Sequence, residues 1–239
     1  MLNKINLFLR SLVFMIYSLS SIVIYSFVCL FSLLLPLTYR HCIIRAFLRA
    51  YIYVLKIVCR IDYKVEGLKN IPHNRKSIVF SKHQSTWETF FLPLLFHDPA
   101  IILKKQLLWI PFFGWGLAAS QPIAINRSKK KSAMQQVIEQ GKKCLEAGRF
   151  ILIFPEGTRI PYGKVGKYHL GGARLAAATG YPITPVAHNA GLYWPKRSFI
   201  KHPGTIRVII GPLIETQDRS PEEIMKSAKS WIEGTIAKM

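Results

Sequence analysis

The chain has 239 residues, 50% of them hydrophobic, with 33 Lys and Arg against 12 Asp and Glu and a formal charge of +21. That length accommodates one full-sized domain plus an appendage, and the apolar content excludes a disordered chain. The charge calls for an anionic partner, whether nucleic acid, an anionic membrane surface, or acidic substrates and carriers.

The charge is unevenly spread. The first acidic residue is Asp62, and positions 1–61 carry Lys4, Arg10, Arg40, Arg45, Arg49, Lys56 and Arg60 with no carboxylate. Within this part, Ser11 to Leu37 is a run of 27 residues without a charged side chain, long enough as a helix to cross a bilayer core. A cleaved signal peptide fits less well, because the run exceeds an h-region of roughly 7–15 residues and no small-x-small site follows it. Pro36, the serines of the run and Thr38 just after it leave open a re-entrant helix. From Tyr39 to Ile61, helical geometry gathers Arg45, Arg49, Lys56 and Arg60 into an arc of about 60°. Such a helix either lies in the headgroup plane, cations against anionic lipid, or spans as a second helix with its cations snorkelling or facing protein. Residues 1–61 are therefore expected to form a two-helix membrane element. Residues 62–239 are expected to form a soluble domain.

From Asp62 onward, strands and helices alternate in the manner of an α/β domain. Tyr63–Glu66 is expected as an edge strand, with further strands at Ser77–Ser81, Ala100–Leu103, Phe150–Phe154, Tyr181–Ala187 and Ile206–Ile210. Helices are expected over Ser132–Gly148, Leu170–Gly180 and from Ser220, where Ser-Pro-Glu-Glu combines a capping box with proline at the first helical position. Leu107 to Leu117 is uncharged, aromatic and broken by Pro111, Gly114 and Gly116. It is either core or an apolar wall that meets lipid or an acyl chain. Cys29, Cys42, Cys59 and Cys144 have no C-x-x-C spacing and sit among apolar residues. They read as buried reduced thiols, with no metal site and no disulfide framework.

Two stretches carry candidate chemistry. In Lys82-His83-Gln84-Ser85-Thr86-Trp87-Glu88, five residues on one continuous helix would set His83 and Glu88 about 140° apart. The spacing works if a helix starts between them, and Ser85-x-x-Glu88 is a capping-box start. His83 then precedes a helix N-terminus, whose dipole disfavours an imidazolium, while a nearby carboxylate fixes the tautomer and stabilises the charge once a proton has moved. The plainer alternative is a capping glutamate beside an ordinary loop histidine. The second stretch, Phe154-Pro-Glu-Gly-Thr-Arg159, follows a strand and offers a close-approach glycine, a hydroxyl and a guanidinium fork suited to phosphate. Arg127 ends Ala124-Ile-Asn-Arg in a comparable place. The chain has no G-x-S-x-G, P-loop, G-x-G-x-x-G or H-E-x-x-H motif. A base without an evident protein nucleophile points to activation of the substrate's own hydroxyl, with no acyl-enzyme.

Taken together, His83-Gln-Ser-Thr-Trp-Glu88, Ala124-Ile-Asn-Arg127, Phe154-Pro-Glu-Gly-Thr-Arg159 and Tyr181-Pro-Ile-Thr-Pro-Val-Ala187 resemble the four ordered blocks of the 1-acyl-sn-glycerol-3-phosphate acyltransferase family, the bacterial lysophosphatidate acyltransferases. The resemblance covers about Asp62 to Pro212. It departs from the family pattern at Glu88, where aspartate is commoner, and at Asn126, where an acid often precedes the arginine. The latter leaves the lysolipid acceptor open. The resemblance implies a mixed α/β sheet flanked by helices behind an N-terminal two-helix membrane element. It implies His83 as base for the sn-2 hydroxyl with Glu88 orienting it, Arg127 and Arg159 on the acceptor phosphate, and Glu156, Gly157 and Thr158 completing the pocket. It further implies an acyl-CoA or acyl-acyl carrier protein donor, no metal or other cofactor, and a site on the cytoplasmic face of the inner membrane. Two rivals remain at this level: an acyl-thioesterase using the same histidine on water, and a nucleic-acid binder, for which no motif is present.

Overall fold

The computed structural model of the chain describes residues 2–126 and 130–239. Two helices come first, α1 (Leu2–Ser32) and α2 (Leu37–Cys59), joined at Pro36. They run antiparallel, because Tyr25 stacks on Phe47, Ser18 bonds Tyr51, and Cys59 reaches the carbonyl of Arg10. Of the two, α1 is long and apolar enough to cross a membrane, an 18-residue window within Lys4–Ser32 having a mean hydropathy of 2.1. In α2, Leu48, Tyr51, Ile52, Leu55 and Cys59 are buried against the domain. Two cations of its basic stripe are committed to protein carboxylates, Arg45 to Asp98 and Lys56 to Asp62.

Among the described residues seven strands follow: β1 (Ile61–Glu66), β2 (Ile78–Ser81), β3 (Ala100–Lys104), β4 (Ile123–Ile125), β5 (Ile151–Ile153), β6 (Ile183–His188) and β7 (Gly204–Ile210). They form one sheet in the order β1-β7-β6-β2-β5-β3-β4. The sheet is mixed, because β7 pairs antiparallel with β6 and parallel with the edge strand β1, while the remaining pairs are parallel. The five strands β6, β2, β5, β3 and β4 consequently point their carboxyl ends to one rim.

The two-residue period of the strands sorts side chains to two cores. Ile78, Phe80, Ile151 and Ile153 face α5 (Lys130–Glu146), α6 (Gly171–Thr179) and α8 (Pro221–Ile236) on one side. Val79 and Leu152 face α2 and α3 (Trp87–Leu95) on the other. Each such buried apolar side chain contributes roughly 1.5–3 kcal/mol. α8 begins with the expected capping box, Ser220 Oγ accepting from the Glu223 amide and Glu223 Oε2 from the Ser220 amide. The Leu107–Leu117 stretch becomes part of a 3-10 turn and of α4 (Phe113–Ala119), and it serves as a wall. Trp115 packs on Phe27 of α1, and Trp109 is 74% exposed. The remaining helix, α7 (Ala190–Tyr193), is a single turn after β6. The cysteines divide more finely than their apolar contexts suggest: Cys29 and Cys59 are buried, Cys144 is half-buried, and Cys42 is exposed on the outer side of α2.

Candidate active site

β2 ends at Ser81, and the chain turns through Lys82–Thr86 into α3. The helix begins at Trp87, one residue later than Ser85 as N-cap would place it, yet capping bonds still run both ways across the turn. Ser85 Oγ accepts from the amide of Trp87, and Glu88 Oε1 accepts from the amides of Gln84 and Ser85 at 2.8 Å. The same oxygen lies 2.9 Å from His83 Nδ1. Capping and orientation therefore share one carboxylate oxygen. Against an ionised carboxylate, Nδ1 is the donor, which leaves Nε2 of a neutral ring with its lone pair. Glu88 is fully buried, and burial would raise its pKa. His188, His83 and the Ser85 amide outweigh that, so the carboxyl titrates below its ordinary range.

His83 is held on every side. Its ring stacks on Phe154 at 4.2 Å, its amide donates to Glu156 Oε2 at 3.0 Å, and its carbonyl accepts from the amide of Ile160 at 2.8 Å. The loop after β5 is thus strapped across the loop after β2. That loop turns at Gly157, whose φ of +63° is left-handed and whose amide closes on the Phe154 carbonyl, a conformation glycine adopts without strain. Glu156 itself is directed away from solvent, its Oε1 lying 2.7 Å from Lys82 Nζ. Burial dominates its titration and holds it above the ordinary carboxylate range, despite Lys82 and the His83 amide. Thr158 is exposed and Arg159 half-buried. Arg127 lies outside the described residues.

His83, Gly157 and Arg159 line one cavity of about 600 Å³. It extends between the helices and the sheet, past Tyr51 and Phe90, to Tyr25 of α1 and Gly116 of α4. Its walls are mainly apolar, with the His83 imidazole and the Arg159 guanidinium in the same space. Among the described residues no carboxylate pairs with Arg159. The arrangement can deprotonate a hydroxyl beside a bound anion while sheltering a long apolar group from water.

A family model described as Acyltransferase matches residues 62–189. The 1-acyl-sn-glycerol-3-phosphate acyltransferase of Pseudomonas aeruginosa is 46% identical over 200 residues, covering 82% of this chain and 77% of its own length. The enzyme of that name from Saccharomyces cerevisiae is 29% identical over 192 residues, covering 76% of this chain and 61% of its own. This chain belongs to the acyltransferase family. The crystal structure of the 1-acyl-sn-glycerophosphate (LPA) acyltransferase PlsC from Thermotoga maritima superposes with a TM-score of 0.82 at 27% identity, covering 98% of this chain and 96% of that one. The acyltransferase fold here is accordingly the mixed, helix-flanked sheet preceded by α1 and α2.

Several side chains at this acyltransferase site stand outside the recognisable blocks. Lys104, at the end of β3, lines the cavity. Lys196, just past α7, donates to the Arg159 carbonyl at 2.7 Å and lies 3.5 Å from Thr158 Oγ1. His188 ends β6 fully buried, which pushes its pKa down. Its Nδ1 accepts from the Ala190 amide, so its Nε2 donates to the Lys82 carbonyl at 2.8 Å. Strand ends at the common rim could have pointed to Lys104 and His188; nothing local marks Lys196.

Proposed function

We propose that this acyltransferase moves a fatty acyl group from a thioester donor, acyl-CoA or acyl-acyl carrier protein, to the sn-2 hydroxyl of 1-acyl-glycerol-3-phosphate, giving phosphatidate. The observation that carries the reading is the His83–Glu88 pair opening on the same apolar cavity as Arg159. Nε2 of His83 takes the hydroxyl proton as the oxygen attacks the thioester carbonyl. The carbon–sulfur bond then breaks, an oxygen ester forms, and the departing thiolate takes the proton back from the imidazolium. Glu88 stabilises that imidazolium and holds the tautomer. Arg159, with Arg127 and the cations Lys104 and Lys196, neutralises the acceptor phosphate. Gly157 and Thr158 shape the pocket, and Glu156 serves it from behind by holding His83. The reading asks for no metal or cofactor besides the thioester donor.

α1 supports membrane attachment. We place the site at the cytoplasmic face of the inner membrane, where soluble thioester donors meet a lipid acceptor, with the α/β domain of residues 62–239 carried by the helices of 1–61. The decisive assay uses purified protein, a labelled thioester donor and a panel of lysolipids. Label should appear in phosphatidate, and His83→Ala should abolish it. Release of free fatty acid alone would identify a thioesterase instead, and a near-wild-type His83→Ala would remove the base. Arg159→Ala should raise KM for lysophosphatidate by about tenfold or more, as loss of a charge-assisted bond implies, with KM for the donor little changed.

A further inference from the structure

Lys82 stands immediately before the base, but its side chain turns away from the cavity. It is 1% exposed. Its Nζ lies 2.7 Å from Glu156 Oε1 and 2.7 Å from Glu233 Oε1, and it donates to the Lys164 carbonyl at 3.1 Å. Glu233 sits in the last turn of α8, 151 positions along the chain from Lys82. Its Oε1 also accepts from the Tyr168 hydroxyl at 2.8 Å. The backbone of Lys82 is fastened too, its amide to Val186 and its carbonyl to His188.

A buried ammonium is costly unless carboxylates and hydrogen bonds surround it, and even then such a cluster contributes little net stability. What it does supply is a fixed position. The two carboxylates pull Lys82 from two directions, and Glu156 in turn carries the amide of His83 on its other oxygen. With Glu233 removed, the ammonium recentres on Glu156 and draws that carboxylate from the His83 amide. We propose that Glu233, on a helix that contributes nothing to the cavity lining, is a positioning residue for acyl transfer. It acts through Lys82 and Glu156 to hold the His83 loop. This rests on His83 being the base.

Glu233 is the position to vary, because its side chain is partly exposed, whereas Lys82→Met would strand a buried carboxylate. Glu233→Ala should lower kcat by about tenfold or more, in line with the sensitivity of transfer steps to misplacement by an ångström. KM for acceptor and donor should stay within about twofold. Glu233→Gln, which keeps an acceptor oxygen for Lys82 and Tyr168, should recover most of that loss. Tyr168→Phe should cost a smaller factor than Glu233→Ala, since it removes only the hydroxyl on Glu233. Rates are taken per folded molecule, with the folded fraction from thermal melts. A wild-type kcat in Glu233→Ala, or a loss that vanishes on correction for folded fraction, would overturn the proposal. So would a Gln variant no better than Ala. An active His83→Ala would remove the base and this proposal with it. An inactive His83→Ala beside a wild-type Glu233→Ala would remove the positioning role alone.

Discussion

At Glu88 a single oxygen serves two amides and an imidazole, so its two functions separate under substitution. Glu88→Gln can keep a carbonyl oxygen toward the amides of Gln84 and Ser85 but brings no charge to a protonated His83. The expected result is a folded protein whose kcat falls at least about 10²-fold. Glu88→Ala should additionally lose about 1–3 kcal/mol, because buried amides go unpaired. Steady-state rates and thermal melts on the two variants distinguish these effects. The pH dependence follows from the same group. Its folded-state pKa lies below the ordinary value, so its contribution is present above the unfolded carboxylate pKa and fades as pH falls through the folded one. Thermal midpoints of the wild type should therefore fall on acidification more steeply than those of Glu88→Gln; parallel slopes would contradict a depressed Glu88. The S-x-x-E pattern made this residue readable in the sequence, since capping chemistry is local. The Lys82 ion cluster was unreadable there, because its partner Glu233 arrives by tertiary packing and no spacing rule connects the two.

The helices α1, α2 and α4 act together as the outer wall of the cavity. Hydropathy alone made α1 legible, and the residue pattern made six strands legible to within one or two residues, whereas the three-residue β4 is too short to show a pattern and was missed. The role of the Leu107–Leu117 stretch was not decidable, because core and lipid-facing walls draw on the same aromatic residues. Packing decides it: Trp115 and Phe112 meet Phe27, while Gly116 lines the cavity across from Tyr25. A Cβ at Gly116 would sit 3.6 Å from the Tyr25 ring, an ordinary contact. Gly116→Ala should therefore be tolerated, while Gly116→Leu fills the space between α1 and α4. If the acyl chain occupies that space, the Leu variant should shift donor preference toward shorter chains, read as kcat/KM across a chain-length series. An unchanged series would move the acyl chain elsewhere. The basic stripe of α2 was half legible for a related reason. Sequence spacing aligns the cations but cannot show that Asp98 and Asp62 fold back onto two of them.

For the molecule as a whole, the charge asymmetry and the apolar helix predict different responses to salt. Among the described residues at least eight of the twelve carboxylates already pair with a cation or imidazole, so most of the surplus positive charge has no internal counterpart and is available to lipid phosphate and anionic substrates. Those attractions are screened at 1 M salt, where the Debye length is about 3 Å. The attachment through α1 is of another kind. Ile16, Leu19, Ile24 and Phe31 point outward and are more than half exposed, and burying such surface in lipid is insensitive to screening. At about 1.5 Å per residue, α1 also exceeds the roughly 30 Å of a hydrocarbon core, which leaves its first turns free to dock on the domain, where Ser11 accepts from the Lys201 amide and Phe14 meets Trp194 edge-on. Washing membranes with 1 M salt should leave the protein in the pellet, while the same salt in the assay raises KM for lysophosphatidate. Release into the supernatant would mean that the cations alone hold the protein to the lipid, and that α1 is a helix of the packed fold with no membrane of its own to enter.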